Sequence, residues 1–331
     1  MTVKVGVIGV GLAGTTHVNT LAKSVADAEV VAISDIAADR AQAVAADLPG
    51  TVATYTDAHE LISDGNVEAV VVTSIAPTHA DLVLACIAAG KPVFCEKPLA
   101  VTADECQQIV DAEIAAGRHL VQVGFMRRFD PAYKDVKAVV DEGTVGEVVA
   151  IHAAHRNVSV NPDFTSEMHT TEALIHEIDT HRWLLDDEYV DVMVDGTKTD
   201  GELLDPQYVR MRTAKGRHID VELHMNAAYG YDILCEVVGR AGTVSLPRPK
   251  SSRVNLNGTE SVAHDADFRP RFADAYRDEL EAWIGGVQQD TVAGPTAWDG
   301  LVAAVVSDAT IEALHSGVVE TIDLPAKPDF Y

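Results

Sequence analysis

The first part of the chain alternates short apolar runs with longer segments of helical periodicity. Six runs are rich in β-branched residues and have the length of buried strands. They cover residues 3–8, 29–34, 51–55, 68–73, 92–95 and 119–123. Strands that alternate with helices are typical of a doubly wound parallel sheet, so we expect an α/β domain over residues 1–123.

From residue 124 onward the pattern changes. After a helix over residues 131–142, strands are predicted over residues 147–155, 191–198, 208–213, 217–225 and 233–238. Because the last four are joined by short turns, we expect a largely antiparallel or mixed sheet. A long excursion over residues 247–269, helices over 272–288 and 296–315 and a last strand over 318–324 complete this part. These elements predict an α+β domain over residues 124–331, with a C-terminal helix free to pack back on the first domain.

Composition narrows the class of protein. The net charge of −26 repels phosphate backbones and anionic lipid, so neither nucleic acid nor a membrane surface is an expected partner. No apolar run reaches the length of a membrane span and no signal-like segment precedes Val3, which favours the cytoplasm. Cysteines form no CxxC pair, and we expect buried, reduced thiols at Cys86, Cys95, Cys106 and Cys235.

A glycine-rich segment follows the first predicted strand and opens the first helix. Its sequence is Gly9-Val10-Gly11-Leu12-Ala13-Gly14. In this context the first glycine allows a tight turn, the second lets backbone approach a pyrophosphate, and the third packs helix on strand. The helix N-terminus then faces the anion. The segment therefore predicts a dinucleotide site.

The end of the second predicted strand indicates which dinucleotide is bound. Asp35 stands there, and a carboxylate at that place accepts hydrogen bonds from the ribose hydroxyls and repels a 2′-phosphate. We therefore expect NAD rather than NADP, although Arg40 is near enough in sequence to keep NADP as an alternative. Ser74 and His79, which follow the fourth strand, are further predicted cofactor contacts.

The fifth predicted strand runs directly into a charged pair. Its sequence, Pro92-Val93-Phe94-Cys95-Glu96-Lys97-Pro98, ends in a proline. Open α/β sheets bind ligands outside the carboxyl ends of their strands. We therefore predict that Lys97 is catalytic, and that Glu96, Lys97 and Arg127 also contact the cofactor.

A predicted helix from residue 169 to residue 185 carries a polar stripe opposite Leu174 and Ile178. At about 100° per residue, four polar side chains fall within an arc of roughly 80°: His169, Glu172, His176 and Asp179. The stripe has three interpretations, namely a solvated face, a metal site and a proton-transfer site. No open-site motif such as HExxH is present, so no metal is expected. The cofactor domain favours proton transfer, because histidine titrates near neutrality.

Together these features resemble the glucose–fructose oxidoreductase/inositol dehydrogenase family (Gfo/Idh/MocA) over nearly the whole chain. Glu96-Lys97-Pro98 after the fifth strand matches the signature of that family. Four other stretches are most similar to its inositol 2-dehydrogenases: Phe125-Met126-Arg127-Arg128-Phe129-Asp130, Ala154-His155-Arg156-Asn157, Leu174-Ile175-His176-Glu177-Ile178-Asp179 and Tyr229-Gly230-Tyr231-Asp232.

The resemblance implies NAD(P)-dependent oxidation of a ring hydroxyl in a cyclitol or sugar, usually by a homotetramer. It implies that Lys97 lies near the reacting oxygen and that His176 is the general acid/base. Polyol-pocket positions match His155, Asn157, Asp179 and Tyr231. Glu172 stands where inositol dehydrogenases carry Asp, and it could pair with His176 across one helical turn. Alternatives are a dehydrogenase of another sugar, an NAD-dependent glycosidase and a non-catalytic NAD-binding sensor.

Overall fold

The computed structural model describes residues 1–199, 201–247 and 253–331. Within it the chain forms two compact units. The first unit comprises Met1–Met126, Asp274–Ala304 and Ala326–Tyr331, and the second comprises Arg127–Ala273 and Val305–Pro325. Each unit is therefore assembled from segments that are distant in sequence.

A six-stranded sheet forms the centre of the first unit. Its strands are β1 (Val3–Ile8), β2 (Ala28–Ser34), β3 (Ala53–Tyr55), β4 (Ala69–Val72), β5 (Val93–Glu96) and β6 (Val121–Gly124). The order is β3-β2-β1-β4-β5-β6, and every neighbouring pair is parallel. This confirms the predicted doubly wound sheet. The order reverses between β1 and β4, and such a point leaves a crevice for a ligand at the carboxyl ends of the strands.

Helices connect the strands of this sheet. They are α1 (Leu12–Ser24), α2 (Ala38–Ala46), α3 (Ala58–Ser63), α4 (His79–Ala88) and α5 (Ala103–Ala116). The N-terminus of α5 has a complete capping box, in which Thr102 and Glu105 satisfy each other's backbone N–H groups. At its other end Gly117 adopts a left-handed conformation with φ of 66°, which glycine tolerates best.

The second unit is built on a seven-stranded sheet. After α6 (Pro131–Asp141) come β7 (Val148–Arg156), β8 (Tyr189–Lys198), β9 (Leu204–Thr213), β10 (His218–His224), β11 (Asp232–Gly239), β12 (Thr243–Ser245), β13 (Arg253–Leu256), β14 (Thr259–Val262) and β15 (Glu320–Thr321). The sheet order is β12-β11-β7-β10-β9-β8-β15. Because only β7 and β10 pair in parallel, the prediction of a largely antiparallel, mixed sheet is confirmed.

Two details of this unit differ from expectation. The last strand was predicted over residues 318–324 but is only the two-residue β15, since Val318 and Val319 are exposed and find no ladder partner. The predicted excursion over residues 247–269 contains the β13–β14 hairpin. Residues 248–252 of that excursion lie outside the described part of the chain.

Three further helices occur in the chain after α6. They are α7 (Ile175–Leu185), α8 (Phe268–Gln289) and α9 (Ala297–Ser316), and a π-helix from His169 to Leu174 runs directly into α7. In the first unit, the later part of α8 supplies Leu280, Trp283 and Ile284 to the same apolar cluster as β1. None of the described helices is both long and apolar enough to cross a membrane. All four cysteines are buried and none forms a disulfide, as predicted.

A buried carboxylate stabilises the start of β6. Glu113, on α5, is fully buried, and its Oε1 accepts hydrogen bonds from the backbone N–H groups of Leu120 at 2.5 Å and Val121 at 2.8 Å. Its Oε2 accepts a hydrogen bond from the Tyr331 hydroxyl. Glu113 thus satisfies two backbone donors that have no water available.

We expect Glu113→Ala to lower the free energy of unfolding by about 2–4 kcal/mol, because two buried N–H groups lose their acceptor. Urea denaturation provides the measurement. Asp111→Ala is the matched control, since Asp111 is exposed on the same helix and accepts a hydrogen bond from Gln107. The control should change stability by less than about 0.5 kcal/mol. Equal effects of the two substitutions would contradict this role for Glu113.

Candidate active-site residues in the two units

The three glycines after β1 meet different constraints. Gly9 has φ of 84°, and an added Cβ would lie 2.5 Å from the Ser74 Cα atom. A Cβ on Gly14 would lie 1.9 Å from the Gly9 carbonyl oxygen. At Gly11, by contrast, an added Cβ would meet nothing within 4 Å. Packing explains the first and third glycines, whereas the open space at the second suits the close approach of a ligand.

Asp35 is held against this glycine segment. Its Oδ2 accepts a hydrogen bond from the Val10 N–H at 2.9 Å, and its Oδ1 accepts one from the Ala37 N–H at 2.9 Å. Arg40 Nη1 lies 3.4 Å from both oxygens. The Arg40 contacts are long and come from an exposed side chain, so ribose hydroxyls can replace them on the Asp35 oxygens. Its contacts therefore fit the predicted role in binding NAD.

The loop after β4 is organised by a buried histidine. His79 is 1% exposed, and its ring nitrogens lie 2.7 Å from the Pro98 carbonyl oxygen and 3.0 Å from the Ser74 carbonyl oxygen. The Ser74 hydroxyl lies 2.6 Å from the Thr78 hydroxyl. His79 thus links the loops that follow β4 and β5. Direct contact of Ser74 or His79 with the cofactor stays a prediction.

Large apolar side chains are exposed beside these polar residues. Leu12 is 65% exposed, Ile36 is 95% exposed and Ile75 is 71% exposed. Each directly follows a residue described above, and Ala13 beside Leu12 is also exposed. Exposed apolar groups around convergent polar ones are typical of a ligand surface. Ile36 and Ile75 were not predicted as residues of a ligand surface. The available signal was an isoleucine that directly follows a polar residue at the end of a strand.

Glu96 and Lys97 differ in environment at the end of β5. Glu96 Oε1 lies 2.6 Å from His17 Nε2, and Oε2 accepts a hydrogen bond from the Lys97 N–H at 3.1 Å. Burial alone would raise the pKa of Glu96, but the hydrogen bond and charge of His17, with the charge of Lys97, lower it. Glu96 is therefore ionised, and its contacts with His17 and with the Lys97 N–H hold the end of β5 in place. The partly exposed Lys97 follows it at the carboxyl edge of the sheet.

In the second unit the predicted polar stripe is not a single face. His169 is completely buried, with Nε2 3.2 Å from Asp205 Oδ1, whereas Glu172 is exposed. Asp179 is 2% exposed, and its Oδ2 accepts a hydrogen bond from Arg128 Nε at 2.9 Å. The prediction was wrong because the segment before α7 is a π-helix, in which each residue turns by less than 100°.

The interpretation as a solvated face is also wrong, because residues 173–181 are all buried. His176 itself is 8% exposed. No group of three or more His, Cys, Asp or Glu side chains in the described part of the chain could hold a metal ion. Proton transfer by His176 stays a prediction.

A buried ionic cluster includes Glu177, which directly follows His176 on α7. Arg127 is 1% exposed, and its Nη1 lies 2.6 Å from Glu177 Oε1. His155, near the end of β7, is 4% exposed, and its Nδ1 lies 3.2 Å from Arg127 Nη2 and 3.3 Å from Glu177 Oε1. The Tyr231 ring meets the His155 ring edge-on at 5.8 Å. Two predicted pocket residues, His155 and Tyr231, therefore share one cluster.

The cluster has a fixed pattern of charge. Burial alone would raise the pKa of Glu177, but the charges of Arg127 and His155 lower it to about 2. Burial lowers the pKa of His181 to about 4, although Glu177 opposes that shift. Burial also raises the pKa of Tyr231. At neutral pH Glu177 is therefore ionised, whereas His181 and Tyr231 are neutral.

Sequence reasoning missed Glu177 and His181. Both fall among the apolar positions of α7, since Glu177 stands three residues after Leu174 and directly before Ile178. A carboxylate at a core position implies a buried partner, and that was the available signal. The partner is Arg127, which was predicted to contact the cofactor. Its guanidinium instead faces Glu177 and His155 inside the second unit, so its role at the cofactor remains a prediction without support from these contacts.

Asn157 lies just beyond the end of β7. Its N–H donates a hydrogen bond to the His224 carbonyl oxygen at 2.9 Å, and its carbonyl oxygen accepts one from Ala227 at 2.8 Å. The side-chain amide nitrogen lies 3.3 Å from the Met225 sulfur, a weak acceptor. The amide of Asn157 therefore has hydrogen-bonding capacity left for a polyol.

Two family profiles match the chain. Residues 3–125 match the Gfo/Idh/MocA oxidoreductase family with an NAD-binding Rossmann fold, and residues 137–324 match the C-terminal alpha/beta domain of that family. The predicted NAD cofactor is thereby confirmed, and the residues around Gly11 and Asp35 fit it.

Similar proteins cover the whole chain. Inositol 2-dehydrogenase of Pseudomonas fluorescens (strain SBW25) is 48% identical over 335 residues, covering 100% of both chains. Inositol 2-dehydrogenase of Azotobacter vinelandii (strain DJ) is also 48% identical, with 100% of this chain and 99% of the relative covered. A crystal structure of myo-inositol dehydrogenase from Lactobacillus casei with NAD(H) and myo-inositol has a TM-score of 0.97 at 36% identity, over 100% of both chains.

We expect Gly11→Ala to weaken NAD binding about tenfold or more, because its methyl group enters the space where backbone approaches the pyrophosphate. The melting temperature should stay unchanged, since that Cβ meets no protein atom within 4 Å. Gly14→Ala is the contrasting variant, because its Cβ would collide with Gly9 and should lower the melting temperature. Calorimetric titration with NAD and thermal unfolding give the two readouts. Wild-type affinity in Gly11→Ala would refute the assignment.

Proposed function

The chain belongs to the Gfo/Idh/MocA oxidoreductase family, and on that premise we propose that it oxidises a ring hydroxyl of an inositol to the ketone with NAD. The observation that carries the substrate class is the identity of 48% with inositol 2-dehydrogenases over the full chain. The presence of Lys97 after β5 and of His176 on α7 supports the reaction type.

Residues of the first unit would hold the cofactor. The N–H groups at the start of α1 and the open space at Gly11 suit the pyrophosphate, and Asp35 suits the adenosine ribose. Bound NAD supplies the hydride acceptor for the substrate carbon. The half-buried, ionised Glu96 and the His79 bridge keep the strand ends that carry Lys97 and Ser74 in place.

His176 removes the proton of the reacting hydroxyl in this scheme. Histidine is the side chain that most often serves as a general base in enzymes. Lys97, as an ammonium, stabilises the negative charge that develops on the same oxygen. Glu172 orients His176, and the longer side chain in place of the family's Asp affects the choice of substrate more than the type of reaction. The remaining hydroxyls are bound by His155, Asn157, Asp179 and Tyr231.

An NADH-formation screen tests the proposal. It uses myo-, scyllo- and chiro-inositol, glucose and xylose, each with NAD and with NADP. We expect net NADH with at least one inositol and a preference for NAD. Oxidation of a sugar but of no inositol would overturn the substrate class. Absence of net NADH with every polyol would favour a glycosidase, which regenerates NAD, or a non-catalytic sensor. The expected homotetramer is a separate prediction that sedimentation can check.

Lys97→Ala should lower kcat/KM by about 10²–10³-fold, because one electrostatic stabiliser of the alkoxide is lost, while NAD binding persists. Lys91→Ala is the matched control. Lys91 precedes the same strand, and its ammonium donates a hydrogen bond to the Asp64 carbonyl oxygen at 2.8 Å. Steady-state kinetics should show near wild-type turnover for the control. A Lys97→Ala enzyme with full activity would rule out the scheme.

A further inference from the structure

A buried carboxylate joins two segments of the second unit that hold predicted pocket residues. Asp205, at the start of β9, is 1% exposed, and its Oδ1 accepts a hydrogen bond from the Met225 N–H at 2.8 Å. The same oxygen lies 3.2 Å from His169 Nε2, and Oδ2 accepts a hydrogen bond from Asn226 Nδ2 at 2.9 Å. Burial alone would raise the pKa of Asp205, but these three donors lower it. Asp205 is therefore ionised at neutral pH, and donors from two segments stabilise its charge.

The first of these segments is the turn after β10, residues 225–227, which holds Asn157. Met225 and Asn226 belong to this turn. The Asn157 N–H donates a hydrogen bond to the His224 carbonyl oxygen at 2.9 Å, and the Asn157 carbonyl oxygen accepts one from the Ala227 N–H at 2.8 Å. The side-chain amide nitrogen of Asn157 lies 3.3 Å from the Met225 sulfur. The position of Asn157 therefore follows that of the turn.

The second segment is the helical one that carries His176. His169 is the first residue of the π-helix, which runs directly into α7, where His176 lies. We propose that Asp205 is a positioning residue that fixes Asn157 relative to the segment carrying His176, so that both side chains reach one polyol. The role of Asp205 toward the polyol rests on the proposed function, whereas the link between the two segments does not.

Other contacts keep β9 attached to the chain before the π-helix. The Ser166 hydroxyl oxygen accepts a hydrogen bond from the Leu204 N–H at 3.0 Å, and the Ser166 carbonyl oxygen accepts one from Gln207 Nε2 at 2.7 Å. Neither contact involves the Asp205 carboxylate. Loss of that carboxylate is therefore expected to loosen the turn after β10 more than the chain before His169.

Hydrogen exchange of the full chain, measured by mass spectrometry of peptides across residues 155–158 and 225–227, tests the link. Asp205→Ala should speed exchange in both peptides about tenfold or more, because the Met225 N–H loses its acceptor and the turn loses its anchor. Thr199→Val is the matched control, since the Thr199 hydroxyl donates to the backbone carbonyl oxygen of Asp205 at 3.0 Å and not to its carboxylate. The control should exchange as wild type does. Wild-type exchange in Asp205→Ala would overturn the proposal.

Steady-state kinetics test whether Asp205 acts through Asn157. Asn157→Ala and Asp205→Ala should each raise KM for the polyol about tenfold, the effect of one lost hydrogen bond, with a smaller change in kcat and unchanged NAD affinity. The double variant should show no more than the effect of Asn157→Ala, because Asp205 then has no side chain left to position. Independent effects would multiply to about a hundredfold, and that result would refute the proposal.

A conservative variant separates hydrogen bonding from mere bulk. Asp205→Asn should restore most of the wild-type KM, since its amide oxygen can accept from Met225 and His169 while Asn226 turns its own oxygen toward the amide NH₂. A KM as high as that of Asp205→Ala would contradict this role. If Asp205→Ala does not fold, Asn226→Ala tests the same link at an exposed residue, and unchanged exchange there would overturn it. Inactivity toward every inositol would end the proposed function but leave the exchange result intact, so the two failures are distinguishable.

Discussion

A buried charge requires a partner of opposite sign, and the interior of the second unit depends on that requirement. Glu177 lies on a buried part of α7, and Arg127 neutralises it from a distant part of the chain. Loss of one partner from such a pair costs on the order of 3–5 kcal/mol. His155 Nδ1 lies near both members of the pair, and burial keeps the neighbouring His181 neutral. Arg127 and Glu177 therefore contribute both to the stability of the second unit and to the charge pattern of the candidate site.

The first unit depends on close approach of backbone rather than on charge. At Gly9 and Gly14 no Cβ fits, so β1, α1 and the loop after β4 pack directly on one another. Parallel strands end on a common edge, and this places Asp35, Ser74 and Lys97 on that edge, each after its own strand. Because the ligand-facing residues follow rigid strands, their positions vary little. The architecture therefore supplies the cofactor site.

The features that depend on a short stretch of sequence were the ones that the sequence predicted. β1 was predicted at Val3–Ile8, its observed extent, because strands buried on both faces read as continuous apolar runs. The Gly11 space and the Asp35 contacts also follow from a short, contiguous segment. The polar stripe was not predicted correctly, since periodicity assumes an α-helix and His169–Leu174 is a π-helix. The Arg127–Glu177 pair was missed because its members are far apart in the sequence. The strand predicted over residues 318–324 is shorter because Val318 and Val319 are exposed.

The contribution of α8 to the first unit has a consequence for synthesis of the chain. Leu280, Trp283 and Ile284 share an apolar cluster with Val5, Val7 and Leu21. During synthesis β1 to β6 leave the ribosome long before these three side chains do. Until then the nascent sheet and its helices expose an uncovered apolar surface. Such a surface is a binding site for chaperones and a site of aggregation. A fragment that ends at Met126 would keep that surface permanently. The apolar cluster of the first unit is therefore completed only after most of the second unit has been synthesised.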